Sequence, residues 1–132
     1  MRIYCSLVCF FIAFTTSTVL HSQNQTLVGI YNAIISSDSR DLSTYFNKQL
    51  IISIEDNEYN CSKKQAEGII KKFLKNHRIQ KLVVIQQNIE EQSSYIIYRY
   101  TTTNNNFRFY INLKTINDDL KIFQIIIKNE TE

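Results

Sequence analysis

The sequence contains no proline, no tryptophan and only two glycines, Gly29 and Gly68. Two isolated glycines cannot build a Gly-rich loop around a phosphate, which excludes that class of nucleotide site. Linker-like and low-complexity tracts are missing, as are internal repeats, so nothing divides the chain into parts. Histidine is also scarce: His21 and His77 are the two present. A metal site needs several converging ligands, and one His with a distant Cys does not supply them. A Ser-His-Asp arrangement is likewise excluded without a placed His. Excess charge of one sign is absent too. The formal net charge is +3 at pH 7, and Arg2 near the start supplies one of those charges. That balance does not point to a nucleic-acid partner.

What is present describes one packed domain. The chain has 132 residues, of which 44% are hydrophobic and 20% charged, values of an ordinary globular core. Met1 and Arg2 give a short positive start, and residues 3–14 follow as a run rich in Ile, Leu, Val and Phe. A polar stretch then leads to Ser22 and Gln23. This is the charged, apolar and cleavage pattern of a secretory signal, with cleavage expected after Ser22 and Ser17 as the alternative. Residues 1–22 are then the leader and residues 23–132 a single exported domain, periplasmic or extracellular. Its membrane contact is through the leader before cleavage. An uncleaved anchor over residues 3–20 is the competing reading, weakened by the Thr and Ser of its last third. Cys5 and Cys9 fall in the leader, so Cys61 stands alone after processing and forms no internal disulfide. It reads as a small buried hydrophobe.

Periodicity gives the elements. Leu27, Val28, Tyr31, Ile34 and Ile35 form a helical stripe. Asp38 or Ser39 caps a short second helix holding Leu42, Tyr45 and Phe46. Residues 50–54 read as β, and the polar residues 55–60 as a turn. Ser62 and Gln65 fit a capping box opening a third helix, with Ala66, Ile69, Ile70, Phe73 and Leu74 on one face and Asn76 as the stop. Four strands follow, over residues 79–89, 94–103, 107–115 and 120–127, separated by polar turns that join antiparallel neighbours. In the third, Phe107, Phe109, Ile111 and Leu113 alternate cleanly. The last changes parity between Ile122 and Ile125, which a bulge near Phe123-Gln124 reconciles. The expected fold class is therefore α+β, a cone of three helices packed on a curved, mainly antiparallel sheet in the order α-α-β-α-β-β-β-β.

Four stretches carry a family resemblance: residues 42–47 (LSTYFN), 59–67 (YNCSKKQAE), 100–104 with 107–110 (YTTTN and FRFY) and 123–127 (FQIII). In order and spacing they resemble the exported bacterial proteins grouped as domain of unknown function 4783, over residues 27 to 128. The order of elements is similar to the nuclear-transport-factor-2-like, or cystatin-like, superfamily. The resemblance implies a signal peptide, a Bacteroidota host and no established activity. It supplies no catalytic motif, and the sequence departs from it at Asn76-His77-Arg78, where relatives tend to have proline.

Enzymes on such a cone need an acid or base projecting into an apolar cavity. Between residues 79 and 127 the carboxylates are Glu90, Glu91, Asp118 and Asp119, all in expected turns. His77 follows the third helix, where a cation is favourable. No catalytic, cofactor-binding or metal-ligating residue is therefore assigned. Two features suit binding instead. Lys63, Lys64, Lys71, Lys72, Lys75, Arg78 and Lys81 could meet an anionic surface, or form the solvated side of an amphipathic helix. Tyr95, Tyr98, Tyr100, Phe107, Phe109 and Tyr110 could line a pocket or pack a core, and Tyr98, Tyr100 and Tyr110 could instead lie on the outer sheet face. The sequons at Asn24, Asn60 and Asn129 are discounted in an Asn-rich bacterial protein. The reading that results is a non-catalytic exported domain binding a small molecule or protein, itself compatible with a homodimer. A pocket enzyme for a hydrophobic substrate, which Glu55, Asp56 or Glu58 folded over the cone mouth would favour, and an anionic-surface binder are the alternatives.

Overall fold

The computed structural model describes residues 17–131. The expected leader thus lies largely outside the described residues. The elements are α1 (Ser17–Ile35), α2 (Ser39–Ser43), β1 (Phe46–Ile54), β2 (Asn57–Ser62), α3 (Lys63–Asn76), β3 (Lys81–Ile89), β4 (Ser93–Thr101), β5 (Asn106–Ile116) and β6 (Asp119–Asn129). The strands form one six-stranded sheet in the order β2-β1-β6-β5-β4-β3. Every neighbouring pair is antiparallel except β1 with β6, which run parallel. The fold is the expected α+β cone of three helices on a curved sheet.

Three local readings are refined. The polar segment at residues 55–60 is a turn only at Glu55-Asp56, and Asn57 onward forms the edge strand β2 against β1. Residues 57–60 are exposed, so the backbone ladder, not an apolar pattern, holds that strand. Helix α2 ends at Ser43 with Asp38 as its cap, accepting from the Asp41 N–H at 2.9 Å. Tyr45 falls after it and Phe46 opens β1. The buried side of α1 is Ile30, Ala33 and Ile34, whereas Val28 and Ile35 are 59% and 39% exposed. Gly29 lets Tyr45 pack across this helix, because a Cβ there would stand 1.9 Å from the Tyr45 hydroxyl oxygen. Cleavage after Ser22 would leave all three buried α1 residues in the mature domain.

Side-chain parity places the core on the concave face. Ile96, Ile111, Ile125 and Ile52 are directly paired in a row across β4, β5, β6 and β1, each at most 1% exposed. The expected bulge is there: Leu113 pairs with Ile122 and Asn112 with Gln124, leaving Phe123 as the extra residue of β6. That one insertion lets both halves of β6 bury their isoleucines. The β1–β2 turn places Glu55 at φ 52°, a conformation that non-glycine residues seldom adopt. Its N–H donates to the Ile127 carbonyl at 2.9 Å and its Oε1 accepts from the Asn129 N–H at 2.7 Å, which holds the turn against β6.

Helix α3 is positioned by the expected box. The Gln65 N–H donates to Ser62 Oγ at 3.3 Å, and the Ser62 N–H donates to Gln65 Oε1 at 3.0 Å. Its buried residues are Ala66, Ile70, Phe73 and Leu74. Ser62→Ala leaves an orphan helix donor and is expected to cost about 0.5–2 kcal/mol in urea unfolding. An unchanged midpoint would reject the box as a stabilising element.

Candidate functional site

One end of the concave face is filled by aromatic rings. Phe73 of α3 meets Phe107, Phe109 and Tyr100 edge-on, with centroids 5.1, 5.5 and 5.9 Å away. Tyr100 stacks on Phe109 at 4.7 Å. The His77 ring lies 4.4 Å from Phe73 and 4.9 Å from Phe107, so its place is in this packing as well as at the helix C-cap. The Tyr100 hydroxyl donates to the His77 carbonyl, and burial pushes the phenol up to about 12. Tyr98, Tyr100, Phe107 and Phe109 are therefore concave and buried. Tyr95 and Tyr110 belong to the outer face: Tyr95 pairs with Asn112, and Tyr110 with Ile97 and Ile126.

Beyond these rings the concave face stays open. A cleft of about 320 Å³ runs between Leu27, Val28 and Tyr31 of α1, Val84 of β3, and Ile96 and Tyr98 of β4. The remaining lining side chains, Asn24 and Gln87, are exposed amides. A bulge between Val84 and Gln86 re-aims β3 here, and Val83, Val84 and Ile85 are 38%, 42% and 39% exposed on that edge strand. Tyr31 donates its hydroxyl to the Leu82 carbonyl at 3.1 Å. Tyr98 is 1% exposed, and burial, with the Tyr31 phenol nearby, raises its pKa well above the ordinary value.

A second depression follows α3 and β2. Two adjoining hollows share Tyr59, Ile69 and Lys72. Cys61 lines one of them but is buried, with its thiol raised by that burial and directed at the Leu50 carbonyl, 3.5 Å away. It is the small buried hydrophobe the sequence suggested. The basic residues of α3, Lys63, Lys64, Lys71, Lys72 and Lys75, are exposed, as are Arg78 and Lys81.

Carboxylates stay outside the core. Asp118 sits in the β5–β6 turn and Asp119 opens β6, Glu90 and Glu91 join β3 to β4, and all four are exposed. Glu55, Asp56 and Glu58 are exposed as well. Among the described residues no group of three His, Cys, Asp or Glu side chains could hold a metal ion, and no helix is long and apolar enough to cross a membrane.

Glu130 bridges a pair of like charges on the outer face. Arg99 and Arg108 stand directly opposite each other on β4 and β5, a repulsive arrangement when unscreened. The Glu130 carboxylate accepts from Arg99 Nε and Nη2 at 3.0 and 3.1 Å and from Arg108 Nε at 3.0 Å. The Arg99 guanidinium, with Arg108 beside it, holds this carboxyl below its ordinary value. A depressed acid contributes stability that is complete above the unfolded value and lost as pH falls through the folded one. Wild type and Glu130→Gln should therefore differ in urea stability at neutral pH and converge on acidification. A gap independent of pH would remove the clamp.

The sequence model of a domain of unknown function, DUF4783, matches residues 27–128. The chain belongs to the DUF4783 family. Among solved structures, a DUF4783 family protein from Bacteroides uniformis ATCC 8492 is 26% identical and covers 80% of this chain and 97% of its own, at a TM-score of 0.77. One from Bacteroides ovatus ATCC 8483 is 27% identical, covering 79% and 94%, at a TM-score of 0.75. An NTF2-like protein of unknown function from Shewanella baltica OS155 shares the fold at a TM-score of 0.67 with 12% identity, over 91% of this chain and all of its own. No curated protein matches this DUF4783 chain.

The cleft residues Val28, Val84 and Gln87 were not singled out as a site in the sequence. The available signal was the run Val83-Val84-Ile85, which breaks the alternation of a strand with one buried face.

Proposed function

We propose that this chain is an exported, non-catalytic domain that captures a ligand or partner at the open cleft of its cone. The observation that carries the reading is the contrast within the concave face. One end is packed with rings, the other leaves apolar walls uncovered, and none of the described carboxylates is buried. An apolar cleft with a few polar groups suits recognition of a molecule, whereas acid–base chemistry calls for a titrating group held in the cavity. The leader pattern at residues 1–22 supports export.

Native mass spectrometry of the protein recovered from the exported fraction of a Bacteroides expression host tests both halves. A mass lacking residues 1–22, with extra mass released on denaturation, is the expected result. Retention in the cytoplasm at full length would overturn export. A processed chain carrying neither ligand nor partner would overturn capture.

A further inference from the structure

The cleft holds one buried side chain whose polar group the fold does not use. Among the described residues the Tyr98 hydroxyl has no hydrogen-bond partner, although the side chain is 1% exposed. Buried tyrosine hydroxyls ordinarily find one, and its two neighbours do: Tyr31 donates to Leu82 and Tyr100 to His77. The Tyr98 oxygen is not sealed in, since no buried side-chain polar atom among the described residues lacks a partner. It therefore keeps some contact with solvent, and Tyr98 is a lining residue of the cleft. The phenol keeps its proton, so it is able to donate there.

The walls define the rest of the ligand. Leu27, Val28, Val84 and Ile96 are apolar, and the other lining residues are two amides and two phenols, with no charged side chain. A charged ligand would lose its hydration without gaining an ion partner. Val28 and Val84 are left 59% and 42% exposed in the free protein, apolar area that an occupant would cover. We infer that the cleft between α1 and the β3–β4 edge binds a neutral, largely apolar molecule presenting an oxygen acceptor to the Tyr98 hydroxyl. This rests on the cleft being the binding site proposed above, and adds the chemistry of what enters it.

Acetylnaphthalene and ethylnaphthalene form a matched pair of probes, alike in shape, of which only the first carries an acceptor oxygen. Equilibrium dialysis against the processed protein is expected to show the ketone bound about tenfold more tightly than the hydrocarbon. Tyr98→Phe should remove that preference while leaving the melting temperature unchanged, because the hydroxyl has no internal partner to lose. Val28→Lys, at an exposed wall position, should weaken both probes. Equal affinities in the wild type, or a preference surviving in Tyr98→Phe, would overturn oxygen recognition. If Val28→Lys still weakened both probes in that case, the cleft would stand as a binding site. Binding untouched by Val28→Lys, or no binding of either probe, would overturn the cleft itself.

Discussion

Replacing Phe73 by Ala is expected to destabilise the protein by about 3–5 kcal/mol, the range for removing a large aromatic side chain from a close-packed core. Phe73 is 5% exposed and is the one ring that α3 sends into the aromatic cluster. Its partners Phe107, Phe109 and Tyr100 sit on two neighbouring strands, and His77 lies a turn further along. Truncation therefore opens a cavity between the helix and the sheet. The sheet side cannot collapse into it without breaking the β4–β5 register. Urea unfolding with an unchanged slope measures this directly. A loss below about 1 kcal/mol would remove Phe73 from the core.

Ile125→Ala is expected to cost about 2–5 kcal/mol, and Ile126→Ala about 1 kcal/mol or less. Ile125 is 1% exposed and sits in the isoleucine row between Ile111 and Ile52. Ile126 is half-buried on the opposite face, beside Tyr110 and Ser53. The contrast tests the bulge at Phe123. Strict alternation from Leu120 and Ile122 would turn Ile126 inward and Ile125 outward, reversing the two costs. Comparable losses from the two variants would contradict the one-sided burial of β6.

What was legible in the sequence is what short-range physics determines. The third helix was readable from Ser62 to Asn76 because its cap, its apolar stripe and its stop all lie within one segment. The alternation of β5 and the parity change in β6 are equally local, and both survive in the structure. Strand β2 was hidden because Asn57, Glu58, Tyr59 and Asn60 are exposed. An edge strand held by its neighbour's backbone needs no apolar period. Val28 and Ile35 belong to the helical stripe of α1 yet stay exposed, since a helix with apolar residues on two sides shows more stripe than it buries. The parallel β1–β6 pairing joins residues some seventy positions apart, and nothing local announces it. The cleft had a single local sign, the exposed run Val83-Val84-Ile85. It exists only once α1 is laid along β3 and β4, and Tyr98 could not be assigned a face before its register was known.

The placement of β6 governs the order of assembly. It is the last strand in sequence, yet it lies between β1 and β5. Of the ladders in the sheet, those available up to Ile116 are the β1–β2 hairpin and the β3–β4–β5 meander, with no backbone ladder joining the two. Closing the sheet must wait until Asp119–Asn129 has left the ribosome, when one segment stitches the two halves on both sides. Such late, long-range closure slows folding. Under the proposed export, where a precursor crosses a membrane as an extended thread, that delay is an asset: the sheet cannot close before β6 is made.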